Sequence, residues 1–383
     1  MRRNIFISFL LLSATTLFAQ INIEVTNQMP YDRVGEIVEV KASVIGALTP
    51  NRFTLFNAEN EEVPYQLIYN GTKTVQSLIF PATVKSGTKA VYTLRTGKPS
   101  PVVAKTFARF VPERKDDFAW ENNLAAYRMY GPALAKDNPS NGVDLWLKRT
   151  EELVIDSFYR GDLKYGKSYH VDHGQGLDCY KVGKSLGAGG IAPYTDSTLW
   201  IGKNYNKYEI IENGPLRSVF RLTYDSVKVK GKVYKQQITI STDYNGVLNK
   251  AVVRFTGPAQ PMQLATGIFL HDGKGSLQKG SGMIVYGENA VSDAGLDMGK
   301  NFVGVLLPAK ETAYKVENLH ALLLTDYVVG KDFTYYFGGG WSQWKFPTQQ
   351  EWLKAVQDFS RSVKFPFAVK VVKPTATPAK PTR

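Results

Sequence analysis

Apolar residues in this chain come in short runs that alternate with polar ones and stop at turn residues. Segments 21–25, 37–40, 52–56 and 90–94 each place apolar side chains two apart, the spacing of a strand with one buried face. Pro30, Pro50, Asn70-Gly71 and Gly87 punctuate them, as turn chemistry requires. Some seven strands in the first ninety residues predict a small sandwich of immunoglobulin type over residues 20–105. Gly97-Lys98-Pro99-Ser100-Pro101 reads as the linker that leaves it.

The strands lengthen after that linker. Segments 208–212 and 216–224 flank Asn213-Gly214-Pro215, followed by 227–232, 234–241 and 250–255, an antiparallel meander. Further strands are expected at 262–270, 282–287, 301–307, 321–327, 333–337 and 365–372. One helix is predicted: Thr348-Gln349-Gln350-Glu351 is a capping box, and Trp352, Val356, Phe359 and Val363 recur at near-helical spacing. The reading is therefore an all-β chain, a large antiparallel two-sheet sandwich over 106–373 with the smaller sandwich in front.

Residues 1–19 carry a secretory pattern: Arg2 and Arg3, an apolar core over 5–12, and small residues toward a cut before Gln20. Residues 374–383 are rich in Pro, Thr and Lys and are expected to be disordered. No later stretch is apolar for long enough to span a bilayer as a helix. The expectation is a periplasmic or secreted protein that does not insert into a membrane.

Composition narrows the chemistry. Across 383 residues the apolar fraction is 43% and the charged fraction 21%, too apolar for general disorder. A single cysteine, Cys179, excludes a disulfide framework and a Cys-rich zinc module. The formal charge of +13 falls to +11 once Arg2 and Arg3 are removed with the leader. That surplus points to an acidic partner. Nucleic acid fits poorly, because the lysines are scattered and the chain is exported. Gly187-Ala188-Gly189-Gly190 lacks the lysine and helix of a phosphate loop, and no nucleophile elbow is present.

Candidate chemistry concentrates in Tyr169-His170-Val171-Asp172-His173-Gly174-Gln175-Gly176-Leu177-Asp178. The chain has four histidines, and two stand here within a glycine-rich loop beside two carboxylates. Imidazoles can give or take a proton near neutral pH. His170 and His173 are also compatible with a divalent metal, but strand geometry sends positions three apart to opposite faces, and the metal-free reading is preferred. Upstream, Trp120 offers a face for stacking on sugar, Glu121 a hydroxyl acceptor, and Arg128 a bidentate grip on a carboxylate. Tyr159 and Arg160 fall at a strand end turning at Gly161. Gly338-Gly339-Gly340-Trp341 reads as a loop presenting aromatic platforms, with Trp344 exposed and Trp341 buried.

The stretches Trp120-Glu121-Asn122-Asn123, Arg128-Met129-Tyr130-Gly131-Pro132 and 169–178 resemble a secreted bacterial family first filed as a domain of unknown function and found in polysaccharide-utilisation systems. The resemblance implies a galactose-mutarotase-like supersandwich over nearly the whole mature chain. It also implies an oligosaccharide dehydratase of the kind that acts on ulvan fragments, removing water from a terminal uronic acid to leave a 4,5-unsaturated sugar.

The chemistry constrains the residues independently. Removing the C5 proton of a uronate requires a cation to neutralise the carboxylate, for which Arg128 and Arg160 are candidates. It also requires a base and an acid, for which His170, His173 and Tyr159 are candidates. Trp120, Glu121, Arg128, Asp172, Asp178 and Trp344 are expected to line the substrate. A hydroxyl leaving group makes a dehydratase and a sugar leaving group a lyase. A glycoside hydrolase or epimerase, whose carboxylates would be Asp172, Asp178 and Glu121, and a non-catalytic carbohydrate-binding sandwich remain the alternatives.

Overall fold

A computed structural model describes residues 20–46, 48–308, 311 and 313–373. Residues 1–19, read as a secretory leader, and residues 374–383, expected to be disordered, lie outside the described residues. The chain is all-β, with five antiparallel sheets and two helices longer than one turn among the described residues.

The alternation seen in the sequence is realised as one-sided burial. In Asn249–Thr256, Ala251, Val253 and Phe255 are buried while Lys250, Arg254 and Thr256 face out. That strand belongs to an eight-stranded sheet running from Lys207–Asn213 through Arg217–Val229, Lys232–Asp243, Asn249–Thr256, Phe333–Trp341, Asp297–Leu306 and Met283–Val291 to Ser276–Gly280. Two five-stranded sheets stand opposite it. One contains Ala188–Thr195, Met262–Phe269 and His320–Tyr327, and the other Phe107–Val111, Asp117–Glu121, Ala125–Met129, Asp144–Lys148 and Gly176–Asp178. A bridge between Val143 and Gly187 joins them side by side. Trp120, Tyr127, Ile191, Leu264, Phe220, Val253 and Phe337 meet in one core between the sheets. Each fully buried large apolar side chain there contributes about 1.5–3 kcal/mol.

Two helices close the outer faces. Gln349–Lys364 starts at the expected capping box, with Thr348 accepting from the Glu351 amide, and seats Trp352 and Val356 on Val285, Phe302 and Leu306. The second helix, Ile155–Tyr165, occupies the region read as a strand end at Gly161. It packs Ile155, Phe158 and Tyr159 on Ala119, Ala126 and Trp146.

Two further differences have local causes. Gly338, Gly339 and Gly340 continue the strand Phe333–Trp341 and form no loop. A Cβ at these positions would overlap Val247 O, the Leu145 side chain and the Phe346 ring respectively, so glycine permits the sheet to be covered this closely. The final strand, Ala368–Val372, pairs with Ile21–Thr26. The end of the described chain therefore returns to the first sandwich, whose core comprises Ile23, Val25, Leu55, Leu78, Phe80 and Leu94.

Candidate functional site

The loop from Ser168 to Gln175 follows the helix Ile155–Tyr165 and is built by its own side chains. Asp172 Oδ1 accepts from the amides of Gly174 at 2.8 Å and Gly176 at 3.0 Å, an Asx-type turn. Its Oδ2 pairs with Arg149 Nη2 at 2.8 Å. Gly176 has φ +118°, and a Cβ there would overlap the Leu147 carbonyl, so this position is confined to glycine. Asp172 thus orders the loop.

His170 is held at the loop's inner edge. Its Nδ1 lies 2.9 Å from the Asp178 carbonyl, 3.6 Å from Asp178 Oδ2 and 3.9 Å from Asp293 Oδ2. The Asp178 carbonyl can only accept, which puts the proton of the neutral ring on Nδ1 and leaves Nε2 with a free lone pair. About a third of the side chain, 32%, is exposed. His173 is fully at the surface and sets Nε2 3.1 Å from the Ser168 carbonyl. The two imidazoles do not share a ligand position.

Arg128, Asp178 and Tyr159 do come together, but beneath the surface. Arg128 Nη2 lies 2.6 Å from Asp144 Oδ2 and 2.9 Å from Asp178 Oδ2, with Asp117 at 3.7 Å from Nη1. Its guanidinium also faces Tyr130 and Trp146 at 4.9 and 5.2 Å. Tyr159, buried on the helix, donates to Asp117 at 3.3 Å, and burial pushes its phenol well above the ordinary value. Arg128 has its charge already matched by buried carboxylates and cannot reach a solvent-borne sugar. Arg160 is exposed on the helix, away from that cluster.

The other expected lining residues are also structural in their surroundings. Trp120 is buried, stacked on Tyr127 at 5.4 Å, with its indole N–H donating to Asn249. Glu121 pairs with Lys148 at 2.7 Å and accepts from the amides of Val154 and Ile155. Trp344 is half-buried under Lys345, while Trp341 is buried. Cys179 is buried, and burial raises its thiol to about 12, consistent with an inert packing residue.

The groups linked to the histidine loop at the surface are different ones. Arg149 lies 4.7 Å over the Trp341 ring and also bonds Gln343. Lys181 pairs with Asp293, the same carboxylate that faces His170. Lys181's carbonyl holds a second histidine, His271, with Nε2 at 2.7 Å. His271 Nδ1 lies 2.7 Å from Glu288 Oε1. Glu288, Asn301 and Trp341 stand in register across three adjacent strands of the large sheet. Nothing local in the sequence joins these positions; they converge through strand pairing alone.

A cleft of about 1280 Å³ lies elsewhere, between the first sandwich, the outer face of the large sheet and the helix Gln349–Lys364. It contains no histidine, and Arg217 there is neutralised by Glu39 and Asp243. Groups able to exchange protons gather at the histidine surface, which is therefore the candidate site. Among the described residues no cluster of three or more His, Cys, Asp or Glu side chains is arranged to hold a metal, and no helix is long and apolar enough to cross a membrane.

The family described as a domain of unknown function, DUF4861, matches residues 25–369. The chain belongs to the DUF4861 family. A relative in Formosa agariphila, an uncharacterised protein P7, is 31% identical to this DUF4861 chain over 376 residues, covering 91% of it and 93% of the relative. An alpha-mannosidase from Enterococcus faecalis superposes with a TM-score of 0.52 at 8% identity, over 92% of this chain and 46% of that one. A glycosyl hydrolase family 38 protein from the same species gives 0.52 at 9% identity, over 92% and 47%. The DUF4861 chain spans about half the length of these solved chains, and the likeness is one of fold. On that fold, the candidate site of this chain presents a free imidazole lone pair, two surface ion pairs and a histidine–carboxylate pair.

Proposed function

We propose that this protein is an exported carbohydrate-active enzyme that acts on the terminal uronic acid of an acidic oligosaccharide by β-elimination, leaving a 4,5-unsaturated uronate. Fragments of ulvan are the substrate class suggested by the resemblance in the sequence. The observation that carries the reading is His170, whose Nδ1 is committed to the Asp178 carbonyl while Nε2 is free on a partly exposed ring. A base in that tautomer can take the C5 proton.

The uronate carboxylate needs a cation, and Arg149 and Lys181 are candidates. Each is ion-paired at the surface, with Asp172 and Asp293, where a substrate carboxylate can compete, whereas Arg128 is buried. Arg149 is 33% exposed beside the loop and Lys181 63% exposed beside Asp293. The net positive charge favours approach of a polyanion. As the C5–H and C4–O bonds break and the C4–C5 double bond forms, side chains would move the two protons and stabilise the carboxylate.

A hydrolase is the second reading, because the two solved chains of like fold are named as an alpha-mannosidase and a family 38 glycosyl hydrolase. Glu288 and Asp293 would then be its carboxylates. Incubation with uronate-terminated oligosaccharides distinguishes the two. Elimination raises ultraviolet absorbance as the conjugated double bond forms. Release of saturated sugar with flat absorbance favours hydrolysis instead.

A further inference from the structure

His271 follows the strand Met262–Phe269 and turns with φ +47°, a region costly for a residue with a Cβ and often retained where function needs it. The turn sets the ring edge-on to Phe269 and Tyr180, each at 4.8 Å. Nε2 is hydrogen-bonded to the Lys181 carbonyl at 2.7 Å, while Nδ1 lies 2.7 Å from Glu288 Oε1 as an ion-pair contact, off the ring's hydrogen-bonding direction. A neutral imidazole has one N–H. With the Nε2 proton given to the carbonyl, a carboxylate beside Nδ1 favours a second proton on the ring. Burial opposes charge on this ring, yet Glu288, the Lys181 carbonyl and Asp272 outweigh it and raise the pKa above the usual imidazole value. Tyr180 and Tyr286, the other titratable groups facing the pair, are phenols raised by burial. Among the described residues Tyr180's hydroxyl has no hydrogen-bond partner.

The two histidines flank one short strap. His170 is tied to the carbonyl of Asp178 and His271 to that of Lys181, whose Cα atoms are at most about 11 Å apart. Asp293 joins the ends through Lys181 and His170. One ring has a lone pair to fill and the other belongs to a pair with a proton to give.

We propose that the proton held between His271 and Glu288 is delivered to the oxygen departing from C4, while His170 Nε2 receives the proton from C5. The inference rests on the β-elimination reading. The C5–H bond breaks with its proton going to His170, and its electron pair becomes the C4–C5 π bond. The C4–O bond breaks with its electrons on oxygen, which takes the proton from the His271–Glu288 pair and leaves as water or as a sugar hydroxyl. His170 then releases its proton to solvent and the pair regains one.

His271→Gln and Glu288→Gln test this on two substrates, a uronate-terminated oligosaccharide with a hydroxyl at C4 and its 4-fluoro counterpart, since fluoride departs with less help from an acid. Rates are scaled to the folded fraction by near-ultraviolet circular dichroism. Each variant should lose about 10²–10⁴-fold on the hydroxyl substrate and less than about tenfold on the fluoride. Equal losses on both substrates overturn the assignment of the proton donor. Wild-type protein that eliminates from neither substrate overturns the β-elimination reading itself.

Discussion

Arg128 Nη2 lies 2.6 Å from Asp144 Oδ2, and the two side chains are only 3% and 0% exposed. Asp178 and Asp117 complete a buried group of three carboxylates around one guanidinium. Burial and crowding push Asp178 well above the ordinary carboxylate value, and burial raises Asp117 to about 6. The cluster joins the helix Ile155–Tyr165, through Tyr159, to the strand end that carries His170's carbonyl anchor. It is a foundation for the candidate site and lies below its surface.

Removing the guanidinium should therefore be felt as stability. Arg128→Leu leaves three buried carboxylates without their cation, a loss of about 3–5 kcal/mol. Urea denaturation followed by tryptophan fluorescence measures it. A loss below about 1 kcal/mol would mean that the carboxylates are all neutral without Arg128.

The same cluster predicts a pH dependence. Asp117's folded value, about 6, stands above the 3.8 of a free aspartate, so the folded chain holds this proton to higher pH than the unfolded chain does. Its contribution is complete below about pH 4 and is lost as the pH rises to about 6, some 3 kcal/mol at most. Asp117→Asn should flatten unfolding free energy across that window. An unchanged slope would assign the pH dependence to other groups.

Glu121 and Lys148 form a second buried unit, 2.7 Å apart and both 0% exposed. Glu121→Ala strands the ammonium and is expected to cost about 3–5 kcal/mol. In Glu121→Gln/Lys148→Met the amide oxygen can still accept from Val154 and Ile155, so the double variant should recover to within about 1–2 kcal/mol of wild type. Thermal or urea unfolding of the double-mutant cycle checks the coupling. Simple additivity of the two changes would show that no unit exists.

These clusters also explain what was legible in the sequence. Period-two alternation located most strands, and the capping box at Thr348 located the helix Gln349–Lys364, because those signals are local. The helix Ile155–Tyr165 has Val154 at its start with no side-chain cap of its own; Glu121 accepts from the Val154 and Ile155 amides, 33 and 34 residues away. Residue type marks Glu121 and Arg128 as substrate contacts, but the helix covers the outer face of Asp117–Glu121 and Ala125–Met129, and every residue of both strands is buried. Trp120 failed similarly, since alternation sends it toward the main core beside Phe220. The glycine-rich histidine loop was recognisable from composition. Its partners Arg149, His271 and Glu288 were not, because only sheet register and the close of the sandwich bring them near.

The two loop histidines make a direct test of the site. His170→Asn keeps an N–H that can donate to the Asp178 carbonyl but supplies no basic nitrogen. Elimination should fall by about 10²–10⁴-fold with an unchanged unfolding curve. His173 contacts only the Ser168 carbonyl through Nε2 and is exposed, so His173→Ala should keep its rate within about threefold, in line with surface substitutions generally. Initial rates of unsaturated product from one uronate-terminated oligosaccharide, taken for both variants beside wild type, decide the matter. Equal losses would place the base outside His170 and make the loop a structural support. A loss confined to His173→Ala would move the reacting centre to the outer rim, where the imidazole Nδ1 is free.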